Sequence, residues 1–125
     1  ALLATESALL DRFDLSQAQY NVLRILRGAG SDGLPCGEIG NRMITRDPDV
    51  TRLLDRLEKR GLALRTRESR DRRVVTAKIA PAGLELLEQV DPEIIETHRK
   101  LLGHLGQRDL RTLIELLERA REKSV

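Results

Sequence analysis

Aromatic residues and cysteine are almost absent from this chain of 125 residues, which has one Phe, one Tyr, no Trp and one Cys. Two aromatic rings are too few for the stacking platforms that bind single-stranded nucleic acid. A single thiol excludes an internal disulfide and favours a reducing compartment. Since only two histidines accompany that thiol, a multi-ligand zinc site is not expected, and we predict neither a metal nor a cofactor.

Long apolar runs and an excess of one charge are also missing. No stretch approaches the ~18 apolar residues of a transmembrane helix, so no membrane partner is expected. The chain has 22 basic and 20 acidic residues, and its composition is typical of a soluble, globular protein. Nothing resembles a signal peptide, and we expect a cytoplasmic protein. Because the chain begins with Ala1 inside an apolar pattern, we also expect further residues upstream.

Catalytic motifs are missing as well. The sequence shows no nucleophile–base pair, no glycine-rich phosphate loop and no metal-ligand spacing. We therefore do not expect an enzyme, and no residue is assigned a catalytic role.

Apolar residues at helical spacing dominate most of the chain and predict a mainly α-helical subunit. Ser16 and Gln19 have the spacing of a capping box, in which each side chain accepts from the other residue's backbone N–H. That motif starts a helix over about 16–28, which the following glycines end. Other helices are expected near 1–12, 36–43, 81–102 and 107–122, with Pro92 bending or briefly interrupting the helix over 81–102.

The clearest helix follows Asp47 and Pro48, which we expect to serve as its N-cap and first-turn residue. Apolar residues at i, i+3, i+4 and i+7 give it one buried face, formed by Val50, Leu53, Leu54 and Leu57. Gly61 is expected to end it in the left-handed conformation. Polar and charged residues therefore cover the opposite face.

Alternating residues beyond this helix predict two short strands, with the charged segment 67–73 as the tip between them. In the first strand Leu62 and Leu64 alternate with Ala63 and Arg65. In the second strand Val75, Ala77 and Ile79 alternate with Val74, Thr76 and Lys78. A two-stranded hairpin is marginally stable alone, so this small β-hairpin must pack against the preceding helices.

This order of helix, short helix, turn, helix and charged hairpin is that of a winged helix-turn-helix. A helix fits the major groove of DNA, and a two-stranded ribbon can follow the backbone or enter the minor groove. Residues 46–73 contain ten basic and six acidic residues, a net charge of +4, whereas the rest of the chain sums to −2. Positive charge concentrated on one unit is the electrostatic footprint of DNA binding. The alternative is that the charged residues of 46–73 form only a solvated surface and bind no DNA.

Three side chains of the main helix point away from its apolar stripe and are candidates for DNA contacts. Arg52 can donate two hydrogen bonds to guanine, and Thr51 can contact a phosphate or a thymine methyl group. Arg56 is the third candidate, and the alternative is a surface ion pair with the neighbours of Lys59 or with Asp55. Asp49 either caps the helix or accepts from a cytosine amine, and we favour the cap.

The segment 49–62 (DVTRLLDRLEKRGL) resembles the recognition helix of MarR-type (multiple antibiotic resistance) regulators. Residues 71–73 (DRR) and 80–83 (APAG) resemble the wing of these regulators and its exit. Residues 15–20 (LSQAQY) resemble the opening of their second helix. The matching segments occur in the same order over nearly the whole chain.

The resemblance implies one subunit over 1–125, with a DNA-binding lobe over 16–80 and dimerisation helices over 1–12 and 81–125. It implies a homodimer that binds double-stranded DNA at a pseudo-palindromic operator. It also implies a crevice for a small-molecule effector between the dimerisation helices and the lobe.

The wing supplies further DNA-binding candidates. Arg73 is expected in the minor groove, and a short carboxylate two residues away, Asp71, can hold its guanidinium in place. The family resemblance implies the same pair. Arg70 and Arg72 are candidates for phosphate contacts, and Arg46 is a further DNA-binding candidate ahead of the recognition helix.

The first and last helices carry more apolar residues than one face of a small monomer needs, which usually marks an interface. We therefore expect a two-fold symmetric dimer whose interface includes Leu2, Leu3, Leu9, Leu110, Leu113 and Leu117.

Three remaining residues have two interpretations each. Phe13 and Tyr20 map near the implied effector crevice, but we place both in the ordinary core and assign no effector-binding residue. Cys36 lies near a helix start, where the dipole would lower a thiol pKa. We prefer to interpret it as a small buried hydrophobe instead of an oxidant sensor.

Two functions compete. The first is a dimeric transcriptional regulator, in particular a repressor relieved by an effector. The second is a protein-interaction module on a winged-helix fold without DNA binding, which the acidic Asp47 and Asp49 would suit. We predict the first.

Overall fold

The computed structural model describes residues 2–43, 49–67, 73–103 and 106–123, where it forms six α-helices and three short strands. The helices are α1 (Leu2–Asp11), α2 (Gln17–Ala29), α3 (Cys36–Arg42), α4 (Val50–Lys59), α5 (Pro81–Leu102) and α6 (Gln107–Lys123). The strands are β1 (Leu34–Pro35), β2 (Ala63–Arg67) and β3 (Val75–Ile79), and a 3-10 turn (Gly30–Asp32) follows α2. The predicted architecture, mainly helical with a small β element, is confirmed.

Local signals begin α2 and α5 where the sequence predicted. The Ser16 hydroxyl accepts from the Gln19 N–H, and the Gln19 side chain accepts from the Ser16 N–H, both at 3.0 Å. Pro81 begins α5, a position where an N–H would have no helical partner. Pro92 lies inside α5, and the helix continues through it without the interruption that was one of its two expected effects.

The sheet has three antiparallel strands in the order β1–β3–β2, not the two that the sequence predicted. β1 pairs Leu34 with Ala77 and Pro35 with Thr76. Two residues are too few to show the alternation that indicates a strand, so sequence reasoning missed it. Gly33 leads the chain into this pairing with φ of 70°, and a Cβ there would lie 2.3 Å from the Ala77 carbonyl oxygen.

Small residues line the face that β2 and β3 turn toward the helices. Ala63 and Ala77 are buried, whereas Leu64 is 47% exposed. Leu62, although buried, belongs to the turn before β2, so the first strand begins at Ala63, one residue later than the predicted alternation. β3 contains Val75, Ala77 and Ile79, as predicted.

Five helices contribute to one hydrophobic core behind this sheet. Its fully buried members include Leu10 of α1, Leu23 and Leu26 of α2, Ile39 of α3, Leu54 and Leu57 of α4, and Leu87 and Val90 of α5. α4 packs against α2 and α3, and α1 packs against α5. α6, by contrast, makes only sparse contacts with the rest of the described chain.

Candidate nucleic-acid interface

α4 turns a polar face toward solvent on the side opposite the core. Its buried residues are Leu53, Leu54 and Leu57. Its exposed residues include the three that the helical pattern predicted, Thr51, Arg52 and Arg56. A helix of this kind, with two arginines on its outer face, has the shape and charge to enter a major groove.

The N-cap of α4 is Asp49. Its carboxylate accepts from the Arg52 backbone N–H at 3.0 Å, and the helix begins at Val50. The predicted N-cap at Asp47 is therefore wrong by two residues, whereas the favoured capping role of Asp49 is confirmed. Because a carboxylate stabilises this end of a helix, Asp49 fixes the turn from which Thr51 and Arg52 project.

The carboxyl end of α4 is closed by Gly61, which has the predicted left-handed conformation with φ of 71°. The Gly61 N–H donates to the Glu58 carbonyl, and the Leu62 N–H donates to the Leu57 carbonyl, each at 2.9 Å. This pair of bonds is a Schellman motif. α4 and β2 are therefore joined by a tight, defined turn.

Arg65 on β2 connects the wing to α4. Its guanidinium donates to the carboxylates of Asp55 and Glu58, and its backbone N–H donates to Glu58 at 3.0 Å. The hydrogen bond from Arg65 holds the pKa of Glu58 below its usual range, and the same bond raises the pKa of Arg65. Both groups are therefore charged at neutral pH. Sequence reasoning missed this link because it counted Arg65 only as one of the ten basic residues of 46–73.

Arg56 does not form the ion pair with Asp55 that was one alternative to a DNA contact. Asp55, its expected partner, is paired with Arg65 instead. Arg56 borders a surface cleft between α4 and the turn that joins α1 to α2. The interpretation of Arg56 as one half of a wet surface pair with Asp55 is therefore wrong.

Four predicted DNA-binding residues lie outside the described residues: Arg46, Arg70, Asp71 and Arg72. Arg73 is described and is exposed just before β3. Arg67, which the sequence did not single out, is exposed at the end of β2 and lies opposite Val75. The hairpin therefore places Arg67 and Arg73 at the same end, and membership in the charged tip was the only sequence signal for Arg67.

Known proteins share this arrangement. The model of the MarR family matches residues 15–75. A MarR transcription factor from Planctomyces limnophilus, known from its crystal structure, is 42% identical. That match covers 94% of this chain and 84% of the other, with a TM-score of 0.74. The chain belongs to the MarR family.

Two curated relatives agree with this identification. The HTH-type transcriptional regulator FarR of Neisseria gonorrhoeae is 29% identical over 117 residues, which cover 94% of this chain and 79% of FarR. The homoprotocatechuate degradative operon repressor of Escherichia coli is 26% identical over 110 residues, which cover 88% of this chain and 73% of the repressor. This MarR protein is thus a DNA-binding transcriptional regulator, and the interaction-module alternative is not favoured.

Away from α4, this MarR protein has a cleft of about 440 Å³ where α2, α5 and α6 converge. The Tyr20 hydroxyl donates to Asp91 at 2.9 Å, and Arg27 donates to the other oxygen of that carboxylate. Burial and this hydrogen bond raise the pKa of Tyr20, so its hydroxyl stays a donor at neutral pH. Tyr20 is buried in the core at the cleft wall, and Phe13 packs against the core, so the preferred placement of both rings is confirmed.

Cys36, at the start of α3, is half-buried against the core of the MarR lobe. Burial raises the pKa of its thiol, contrary to the lowering that the helix dipole suggested. The thiolate fraction at neutral pH is therefore smaller than for an exposed cysteine, which favours the apolar interpretation over a redox sensor.

Exposed apolar surface in this MarR protein concentrates on α6 and on the part of α5 beside it. Leu117 is 57% exposed and Ile114 is 53% exposed, three residues apart on one side of α6. Ile95 of α5 is equally exposed at the rim of the same cleft. These side chains leave an apolar surface that the described subunit does not cover.

The other residues assigned to the dimer surface differ among themselves. Leu9 is buried in the core of its own subunit, which corrects its assignment to an exposed interface. Leu110 and Leu113 are half-buried on α6. The side chains of Leu2 and Leu3 lie outside the described part of the chain.

Within the described ranges, no group of three His, Cys, Asp and Glu side chains is placed to hold a metal ion. None of the helices described there has the length and apolar character needed to cross a bilayer.

Proposed function

We propose that this chain is a homodimeric repressor that binds a pseudo-palindromic operator and is released from it by a small-molecule effector. The observation that carries the proposal is the exposed face of α4, from which Thr51 and Arg52 project while the opposite face is fixed in the core. Two such helices related by a two-fold axis reach successive major grooves about one helical turn apart. The name of the Escherichia coli relative, a repressor, supports the direction of regulation.

Different parts of the lobe over 16–80 contribute different DNA contacts. Arg52 donates to a guanine edge, and Thr51 contacts a phosphate or a thymine methyl group. Arg73 enters the minor groove, held by Asp71. The other DNA-binding residues are Arg46, Arg56, Arg70 and Arg72, and Asp49 contributes to the DNA-binding surface by capping α4. The Arg65 link to Asp55 and Glu58 supports this division, since it fixes the wing strand relative to the recognition helix.

The helices over 1–12 and 81–125 form the dimer. α1 and α5 already pack together within one subunit, where Arg12 contacts Glu93 at 3.3 Å and His98 contacts Glu6 at 3.2 Å. α6 has few contacts of its own and keeps Leu117 exposed. An apolar helix face of this kind in a soluble regulator is suited to pack against a second copy.

The effector occupies the cleft between α2, α5 and α6. The volume of this cleft falls within the range of roughly 300–1,000 Å³ that is usual for small-molecule sites. Ile94 and Leu117 provide apolar wall, and Arg24 and Asp91 provide polar groups. The effector shifts the lobe only if it binds the released conformation more tightly than the DNA-bound one.

Replacing Arg52 with Ala should weaken operator binding by about 1–3 kcal/mol and relax the preference at one base pair per half-site. The reason is that Ala removes both donors to the base edge, while helix content is retained because Ala is a good helix former. A competition assay over a randomised operator at two salt concentrations measures both effects. Arg119→Ala, at an exposed position on the side of α6 away from Leu117, also removes one arginine charge and should change neither the affinity nor the base preference.

Salt dependence separates base contact from phosphate contact in this assay. If Arg52 contacts only phosphate, Arg52→Ala weakens all sequences equally and lowers the salt slope by about one. Unaltered affinity, preference and salt slope would remove Arg52 from the interface. The same outcome for Thr51, Arg56 and Arg73 would contradict the proposed surface as a whole.

A further inference from the structure

Arg60, the residue that follows the last turn of α4, connects the recognition helix to the first helix of the chain. Its guanidinium donates to the backbone carbonyl of Phe13 at 3.2 Å and to that of Asp14. Both acceptors lie in the turn between α1 and α2, 46 and 47 residues earlier in the chain. Because both acceptors are backbone carbonyl oxygens, these bonds fix Arg60 to the backbone of the turn and not to its side chains.

The turn that accepts these bonds has a defined geometry. The N–H groups of Phe13 and Leu15 both donate to the Leu10 carbonyl, at 2.9 and 3.1 Å, and Asp14 is left-handed with φ of 56°. The turn is thus the closed carboxyl end of α1, where carbonyl oxygens point out of the helix. A cation is favoured at this end because the helix dipole is negative there.

The bonds from Arg60 span a gap. A surface cleft of about 490 Å³ lies between α4 and this turn, bordered by Asp11 and Asp14 on one side and by Arg56, Lys59 and Arg60 on the other. Beyond the turn, α1 is tied to α5 by packing and by the pair between Arg12 and Glu93. Arg60 therefore reaches directly from the DNA-contacting helix to the pair of helices assigned above to the dimer.

We infer that Arg60 is a positioning residue, which holds the recognition helix at a fixed angle to the dimerisation helices and so sets the spacing of the two half-sites. This inference rests on the proposed dimeric operator complex. Arg60 contacts no base in this role. Its loss leaves each recognition helix able to bind its half-site but lets the two helices move relative to each other.

The test compares Arg60→Ala with wild type on three DNA probes: an operator obtained by selection from random DNA, the same operator with one base pair inserted between half-sites, and a single half-site. Wild type should bind the selected operator at least about tenfold more tightly than the inserted one. In Arg60→Ala, the ratio of the affinity for the selected operator to that for the inserted operator should fall to about threefold or less. Its affinity for the single half-site should stay within about twofold of wild type.

Two variants complete the test. Lys59→Ala removes the same charge from the neighbouring position and should keep the wild-type ratio, because Lys59 donates no hydrogen bond to this turn in the part of the chain that the structure describes. Arg60→Lys, which keeps a donor able to reach one carbonyl, should recover part of the ratio. Should Arg60→Ala fail to fold, the Arg60→Lys ratio alone decides, and a wild-type value would overturn the inference.

The outcomes distinguish the inference from the proposed function. If Arg60→Ala lowers the affinity for all three probes by the same factor, Arg60 acts through a phosphate contact or the variant has a folding defect. Either result would overturn the positioning role. A wild-type protein that prefers its selected operator, with an unchanged preference in Arg60→Ala, would overturn only the inference. A wild-type protein indifferent to the insertion would contradict the dimeric operator complex, and the inference with it.

Discussion

Replacing Leu54 with Ala should lower the free energy of unfolding by about 2–5 kcal/mol, a large part of the roughly 5–15 kcal/mol that stabilises an ordinary domain. Leu54 is 1% exposed at the centre of the buried face of α4. Ala at this position loses the transfer free energy of the leucine side chain and leaves a cavity in the hydrophobic core. Urea unfolding at one fixed protein concentration measures the change.

Leu64→Ala is the matched control for this experiment. The same chemical change on β2 affects a side chain that is 47% exposed, so its cost should stay below about 1 kcal/mol. The two leucines were equally apolar positions in the sequence pattern, and the structure separates them. Equal costs for both variants would show that α4 does not pack as described.

Replacing Leu117 with Glu should convert the protein from dimer to monomer and weaken operator binding by about 100-fold or more. A carboxylate at this exposed apolar position would be buried without a partner in the interface, which costs several kcal/mol. Loss of the second recognition helix then removes the gain in affinity that two linked sites provide, commonly about 10²–10⁴-fold. Light scattering should give the mass of one 14.1 kDa chain for the variant and twice that mass for wild type.

Arg119→Glu, at an exposed position on the side of α6 away from Leu117, also places a carboxylate on this helix and should leave both measurements unchanged. A Leu117→Glu protein that remains a dimer would place the interface elsewhere. A wild-type protein that scatters as a single chain would contradict the homodimer directly.

The fold was largely predictable because its signals are local. The capping box at Ser16 and Gln19, the leucine stripe of α4 and the glycine that ends it each act within one or two helical turns. Each of these features is present in the structure. Failures arose where the local signal was short or ambiguous, as with the two-residue strand β1 and the choice between Asp47 and Asp49 as N-cap.

The candidate site was predictable only in part. The exposed positions of Thr51, Arg52 and Arg56 follow from helical periodicity alone. The links made by Arg60 and Arg65 cannot be predicted from periodicity, because tertiary packing defines their partners. Arg60 and the Phe13 carbonyl are 47 residues apart, and no periodicity within the chain brings them together.

Selection of binding sites from random double-stranded DNA, followed by sequencing of the bound fraction, tests the central claim most directly. The account predicts that the enriched sequences share an inverted repeat with half-sites about one helical turn apart, and that binding to it weakens steeply with salt. Binding that enriches no sequence over the starting pool, or that enriches a single unrepeated site, would contradict it.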